Sequence, residues 1–241
     1  MAQTFDIVEE KLCEAHFFLE KLTASSPLSA DSRYHFSAFV SAARSTTLSL
    51  QATMKTVPGF ESWYASVQGE IRTDPLMSFF KEIRNDSIHT GRNPLNQVTA
   101  EHLREHLAFQ LRHKSRSHVI VMPDLVGQDT TVLADAVRES RDYFKSVLRI
   151  VHDCYNRFRH VIDPQWHFTE ENFIAMGKTF EDAVVELGYP PIWATLAPNE
   201  KDGWRVLRKK QPPCQINWLF QDYLGLWIPG PDDPVDEAEG A

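Results

Sequence analysis

The chain has 241 residues, of which 42% are apolar and 24% charged, the balance of a soluble globular protein. This excludes collagen-like, disordered and disulfide-framework chains. No run approaches the ~18 uninterrupted apolar residues of a membrane span, so no membrane association is expected. The opening stretch MAQTFDIVEEKLCEAHFF carries acids where an export signal carries bases, which predicts a cytoplasmic protein. Cys13, Cys154 and Cys214 are odd in number and lack a CxxC, and read as reduced thiols. The net charge of −8 is unevenly placed: residues 229–241 hold five acids and no base, and the remainder carries −3. Residues 104–116 have a balance of +3 and residues 201–210 one of +4. Such patches hold a polyanion locally even on an acidic protein, or are plain solvated faces.

Four regions have helical periodicity. In the first, Phe5, Val8, Leu12, Ala15, Leu19 and Leu22 form one apolar stripe. After a Ser/Pro-rich break, Asp31 or Ser32 is positioned to cap a second helix, which buries Phe36, Phe39, Val40, Ala43, Leu50 and Met54 and stops before Pro58-Gly59. A third unit places Phe60, Tyr64, Val67 and Ile71 on its core side. It is renewed at Asp74-Pro75, an N-cap followed by a first-turn proline, and runs through Leu76, Phe80 and Ile83 to Gly91.

Residues 92–129 read as an insertion, with a helix over 99–112 and a short buried strand over 118–122. The longest stripe runs from Leu133 through Val137, Ser140, Phe144, Val147, Val151, Cys154 and Phe158 to Val161, and ends at Asp163-Pro164. The expected fold is therefore mainly α, an antiparallel helical bundle over 1–163 with this insertion. Residues 164–228, rich in Trp, Pro and Gly with apolar runs such as Ile-Asn-Trp-Leu-Phe-Gln, are expected to form an α/β appendage. The acidic residues 229–241 are expected to be a disordered tail.

The segment over 79–91 carries the most chemistry. On a helix, Asn85 lies about 140° and His89 about 180° round from Phe80, so both point away from the core. Arg84 sits about 100° from Asn85, within the swing of a long guanidinium. Arginine makes bidentate contacts to phosphate and offsets charge developing during transfer, and histidine is the usual proton carrier near neutral pH. An RNA phosphodiester brings its own nucleophile, the 2′-hydroxyl, so no metal or cofactor is required. A single histidine serves poorly as both base and acid, and two copies across a dimer would share the roles.

Arg-Asn-Asp-Ser-Ile-His over 84–89 resembles the R-N-x-x-x-H form of the motif of HEPN domains, all-α modules common in prokaryotic toxin–antitoxin, abortive-infection and CRISPR-associated systems. The preceding helices, with Glu-Ala-His-Phe-Phe-Leu-Glu-Lys in the first and Phe-Ser-Ala-Phe-Val-Ser-Ala-Ala-Arg-Ser in the second, are similar to the pattern of such bundles, and the likeness covers 1–163. It implies catalytic Arg84 and His89 with Asn85 in support, a homodimer with a composite site, RNA as substrate, and an antitoxin or defence partner. Some modules of this kind only bind RNA or protein. Where a subgroup carries a tyrosine that becomes nucleotidylated, this chain has Gly91, so that route of neutralisation is not expected.

Two other readings of these residues stand beside it. Arg84 and Asn85 also suit a plain helix end before Gly91. His102-Leu-Arg-Glu105-His106 matches the H-x-x-E-H of zinc peptidases, with His113 on the same stripe, so a zinc hydrolase is an alternative. The helix carrying it is read instead as a polar cover whose basic end, Arg112, Lys114 and Arg116, reaches RNA. Arg44, among small residues of the second helix, is placed beside the active-site groove. Trp193, Trp204, Trp218 and Trp227 suit either base stacking or packing, the latter preferred.

Overall fold

The structure, a computed structural model, describes residues 5–26, 29–90, 95, 119–124 and 128–233. In chain order it forms α1 (Asp6–Ala24), α2 (Ala30–Met54), α3 (Phe60–Thr73), α4 (Pro75–Thr90), β1 (Val119–Asp124), β2 (Gln128–Asp135) and α5 (Ala136–Ile162). Next come α6 (Pro164–His167), α7 (Glu170–Ala175), α8 (Phe180–Glu186), a 3-10 turn (Pro191–Leu196), α9 (Glu200–Lys209) and α10 (Asn217–Leu224). The protein is a mainly helical bundle, and no helix among the described residues is long and apolar enough to cross a membrane. The chain divides at Ile150/Val151 into two compact units. The boundary falls inside α5, not after it at residue 163, because the end of α5 packs with the C-terminal helices.

In the first unit the α1 stripe Val8, Leu12, Ala15, Leu19 and Leu22 is buried, and α1 lies along α2. Each of its Val and Leu side chains contributes about 1.5–3 kcal/mol relative to leaving it in water. The cap of α2 is Ser29, whose side chain accepts from the Ser32 N–H, and not Asp31 or Ser32 as their residue types suggested. Asp74 caps α4 as expected, its Oδ1 accepting from the N–H groups of Leu76 and Met77 at 2.8 and 3.0 Å. The core is aromatic: Phe80 of α4 stacks on Tyr143 of α5 at 4.3 Å, and Phe39 of α2 meets both rings edge-on.

The short strand expected over 118–122 is present as β1, and its antiparallel partner β2 takes up the start of the stripe expected to be the long helix. Ile120 pairs with Ala134, Met122 with Val132, and the register shifts after Pro123, which has no N–H for the ladder. Leu133 belongs to β2 because Asp135 starts the helix: its carboxylate accepts from Val137 and Arg138 N–H, after a β-branched Thr130-Thr131-Val132 run suited to a strand. Phe158 is non-helical (φ −115°, ψ 19°), and beyond it Ile162, not Val161, is buried.

The second unit comprises Phe5 and the residues from Val151 onward. Phe5 meets Tyr155 edge-on and His152 meets Phe220. All its described secondary structure beyond α5 is helical, which corrects the expected α/β appendage. The run Ile-Asn-Trp-Leu-Phe-Gln belongs to α10 and the turn before it, since a short apolar run is compatible with a strand or a buried helix, and left-handed Gly225 (φ 68°) closes it. Phe168, Phe173, Phe180, Ala183, Val184, Trp204 and Leu207 form its core. Gly203 abuts Phe180 so closely that a Cβ there would overlap the ring. Gly203→Ala is therefore expected to cost about 1–3 kcal/mol by overpacking, read by urea denaturation.

The start of the acidic tail is anchored, which corrects the expectation of disorder from residue 229; residues 234–241 lie outside the described ones. Buried Asn217 exchanges two hydrogen bonds with the Ile228 backbone (2.9 and 2.8 Å), and Trp166 Nε1 donates to the Pro229 carbonyl at 2.9 Å. Arg208 pairs with Asp232 at 2.7 Å. Cys13, Cys154 and Cys214 are free thiols, and burial pushes the Cys154 thiol up.

A polar knot joins α6 to α8. Glu186 lies 2.7 Å from both His167 Nε2 and Lys178 Nζ. Burial pushes its carboxyl up, but hydrogen bonds including those from Lys178 and His167 outweigh this and hold it at about 2. The folded carboxyl thus sits below its unfolded range of about 4.3. Its contribution to stability is present above that range and lost as pH falls toward 2. Glu186→Gln is expected to destabilise the protein at pH 7 and to match wild type near pH 2, as urea titrations at the two pH values will show.

Candidate active site

Helix α4 is held by its buried side, Met77, Phe79, Phe80 and Ile83, against α2 and α3. The hydroxyls of Ser37 and Ser87, 3.1 Å apart, tie it to α2 close to His89. The opposite side presents half-buried Asn85 and exposed His89, while Arg84, one turn on from Phe80, is half-buried at the edge of the packed side. The guanidinium does swing across, Arg84 Nη1 donating to Asn85 Oδ1 at 3.5 Å. Asn85 and His89 are one turn apart, about 6 Å along the axis. An amide and an imidazole thus share the outer side of the helix, with the guanidinium reaching toward the amide from the edge of the packed side.

The plain helix-end reading of Arg84 and Asn85 finds no supporting cap among the described residues. The Asp86 carbonyl in the last turn accepts from the Thr90 hydroxyl at 2.7 Å. Arg84 and Asn85 bond each other, and among the described residues neither caps a terminal carbonyl.

Arg44 is brought elsewhere. It lines a pocket of about 150 Å³ with Arg72 and Lys81, not a groove with Arg84 or His89. Sequence reasoning missed Arg72, Lys81 and Tyr143 as site residues; the one available signal was that Lys81 lies one turn before Asn85, on the same stripe as the motif. Arg112, Lys114 and Arg116, and the zinc alternative His102, Glu105, His106 and His113, lie outside the described residues. Among the described residues no group of three or more His, Cys, Asp or Glu is placed to hold a metal.

The other candidates differ in exposure. Trp204 is buried in the core of the second unit, while Trp193, Trp218 and Trp227 stay partly exposed. The basic run over 201–210 is partly answered within the chain. Arg208 binds Asp232, whose carboxyl is held down first by that hydrogen bond and also by Arg205 and Lys209. Lys210 Nζ lies over the Tyr189 ring at 4.6 Å.

Fold and site together define a mainly helical protein that carries Asn85 and His89 on the outer side of a bundle helix, with Arg84 drawn to the amide from its edge. The family model of bacteriophage lambda protein ea47 matches residues 5–143, and the chain belongs to this family. The match runs from α1 into α5 and includes both the motif and the basic pocket. No curated protein and no solved structure matches the chain.

Proposed function

We propose that this protein is a HEPN-like, metal-independent endoribonuclease that acts as a cytoplasmic homodimer, a toxin or defence effector restrained by a partner. The observation that carries the reading is the cluster of Arg84, Asn85 and His89 at the end of α4, His89 exposed and the guanidinium drawn over to the amide. Arg84 binds the scissile phosphate and offsets its developing charge. Asn85 orients the guanidinium. His89 of one copy takes the proton from the 2′-hydroxyl as its oxygen attacks phosphorus. The bond from phosphorus to the 5′-oxygen breaks, and His89 of the second copy returns a proton to that oxygen. The products are a 2′,3′-cyclic phosphate and a 5′-hydroxyl.

The test is incubation of the purified protein with end-labelled RNA in EDTA, with analysis of product ends and of the mass in solution. Cyclic phosphate ends from a dimer support the proposal. RNA bound but uncut would replace it with a non-catalytic RNA-binding module. Activity abolished by chelation, with stoichiometric zinc in the protein, would replace it with the zinc hydrolase.

A further inference from the structure

We propose that the pocket walled by Arg44, Arg72 and Lys81 is an oxyanion site that holds a backbone phosphate of the RNA strand running along α4 toward His89. The inference rests on the ribonuclease reading and adds to it a second point of grip on the substrate.

Three cations reach this pocket from three helices, α2, α3 and α4, and no carboxylate is among its described lining residues. None of the three is in an ion pair among the described residues. Converging like charges repel one another, and an entering anion relieves that repulsion. The guanidinium of Arg44 is oriented, Nη1 donating to the Thr47 hydroxyl at 2.8 Å, which leaves its other N–H groups free for a tetrahedral oxyanion.

Tyr143 supplies the independent observation. It is only 2% exposed, its ring stacked on Phe80. It nonetheless lines the pocket, and its hydroxyl has no hydrogen-bond partner among the described residues. Burial pushes that hydroxyl up to about 12, with Arg44 pulling the other way, so near neutral pH it stays protonated and can donate. The neighbouring Tyr64 hydroxyl already donates to the Thr47 carbonyl at 3.1 Å. A tightly packed phenol whose hydroxyl has no hydrogen-bond partner among the described residues, beside cations with no ion pair among them and the amide of Gln68, is a donor set for phosphate. The pocket of about 150 Å³ admits a phosphate group and not a folded nucleic acid. Lys81 stands about 12 Å along the helix from His89, a span that a single strand covers in a few nucleotides.

The experiment measures binding of fluorescent 2′-O-methyl RNA to the full-length protein over a range of salt concentrations. This RNA lacks the nucleophile, so affinity is read without cleavage. Arg72→Gln with Lys81→Gln, both at exposed positions, is expected to weaken binding about tenfold and to reduce the salt slope by about 0.7 for each phosphate no longer neutralised. Tyr143→Phe keeps the stacked ring, and is expected to weaken binding several-fold with an unchanged melting temperature. Inorganic phosphate is expected to displace RNA from the wild type and to lose that effect in the double variant. Unchanged affinity and slope in the double variant overturn the site, whether or not the wild type cuts RNA. Phosphate bound in the pocket while RNA affinity ignores it makes the ligand a free phosphate and overturns the backbone assignment. A wild type that never cuts RNA, yet shows the expected drop in slope on substitution, overturns the nuclease reading and leaves the phosphate site standing.

Discussion

Alanine in place of His89 is expected to lower kcat for RNA cleavage by about 100-fold or more, the usual worth of a positioned proton carrier. The imidazole is exposed on the last turn of α4, so far-UV circular dichroism and the melting temperature are expected to stay as in wild type. Arg84→Ala is expected to lower kcat to a similar degree, about 100- to 1,000-fold, through loss of charge stabilisation at the transferring phosphate. Its side chain is half-buried and touches Asn85, so a small drop in melting temperature accompanies it. Asn85→Ala, which removes only the group that steers the guanidinium, is expected to cost less than either. Wild-type cleavage rates in the His89 or the Arg84 variant would dismiss the assigned site.

The largest expected change in stability comes from Phe80→Ala, about 3–5 kcal/mol. Phe80 is fully buried, stacked on Tyr143 and met by Phe36 and Phe39, so truncation leaves a cavity among rigid rings that refill it poorly. The same change loosens the hold on α4, and cleavage is expected to fall with the folded fraction on warming. Urea denaturation at pH 7 reads the first effect and the temperature profile of activity the second. A loss below about 1 kcal/mol would show that this aromatic stack is not the centre of the first unit's core.

What could be read from the residue order was whatever depends on one helix at a time. The α1 stripe, the Asp74-Pro75 start of α4, and the placement of Asn85 and His89 away from Phe80 come from helical spacing alone, and the structure shows each of them. Errors arose where two local rules fit the same residues. Ser29, Asp31 and Ser32 are all capping types, and only the hydrogen bond to the Ser32 N–H picks out Ser29. Leu133 and Val137 continue a helical stripe, although Leu133 pairs in a strand and Asp135 caps the helix between them. The pocket was illegible for a different reason. Arg44, Arg72, Lys81 and Tyr143 lie on four helices, and no spacing rule links positions so far apart in the chain. Only the packing of α2, α3, α4 and α5 brings them together.

The pairing of Arg208 with Asp232 bears on where a polyanion can settle. By residue count, 201–210 is the most basic run of the chain, yet Arg208 of helix α9 already has a counterion, Asp232 of the tail segment. An incoming phosphate must displace that carboxylate. It also liberates fewer mobile ions in doing so, and ion release is the chief gain in such encounters. Local density of positive residues is therefore a poor guide by itself: the richest stretch is partly paired within the chain, while a sparser trio of cations has no ion pair among the described residues.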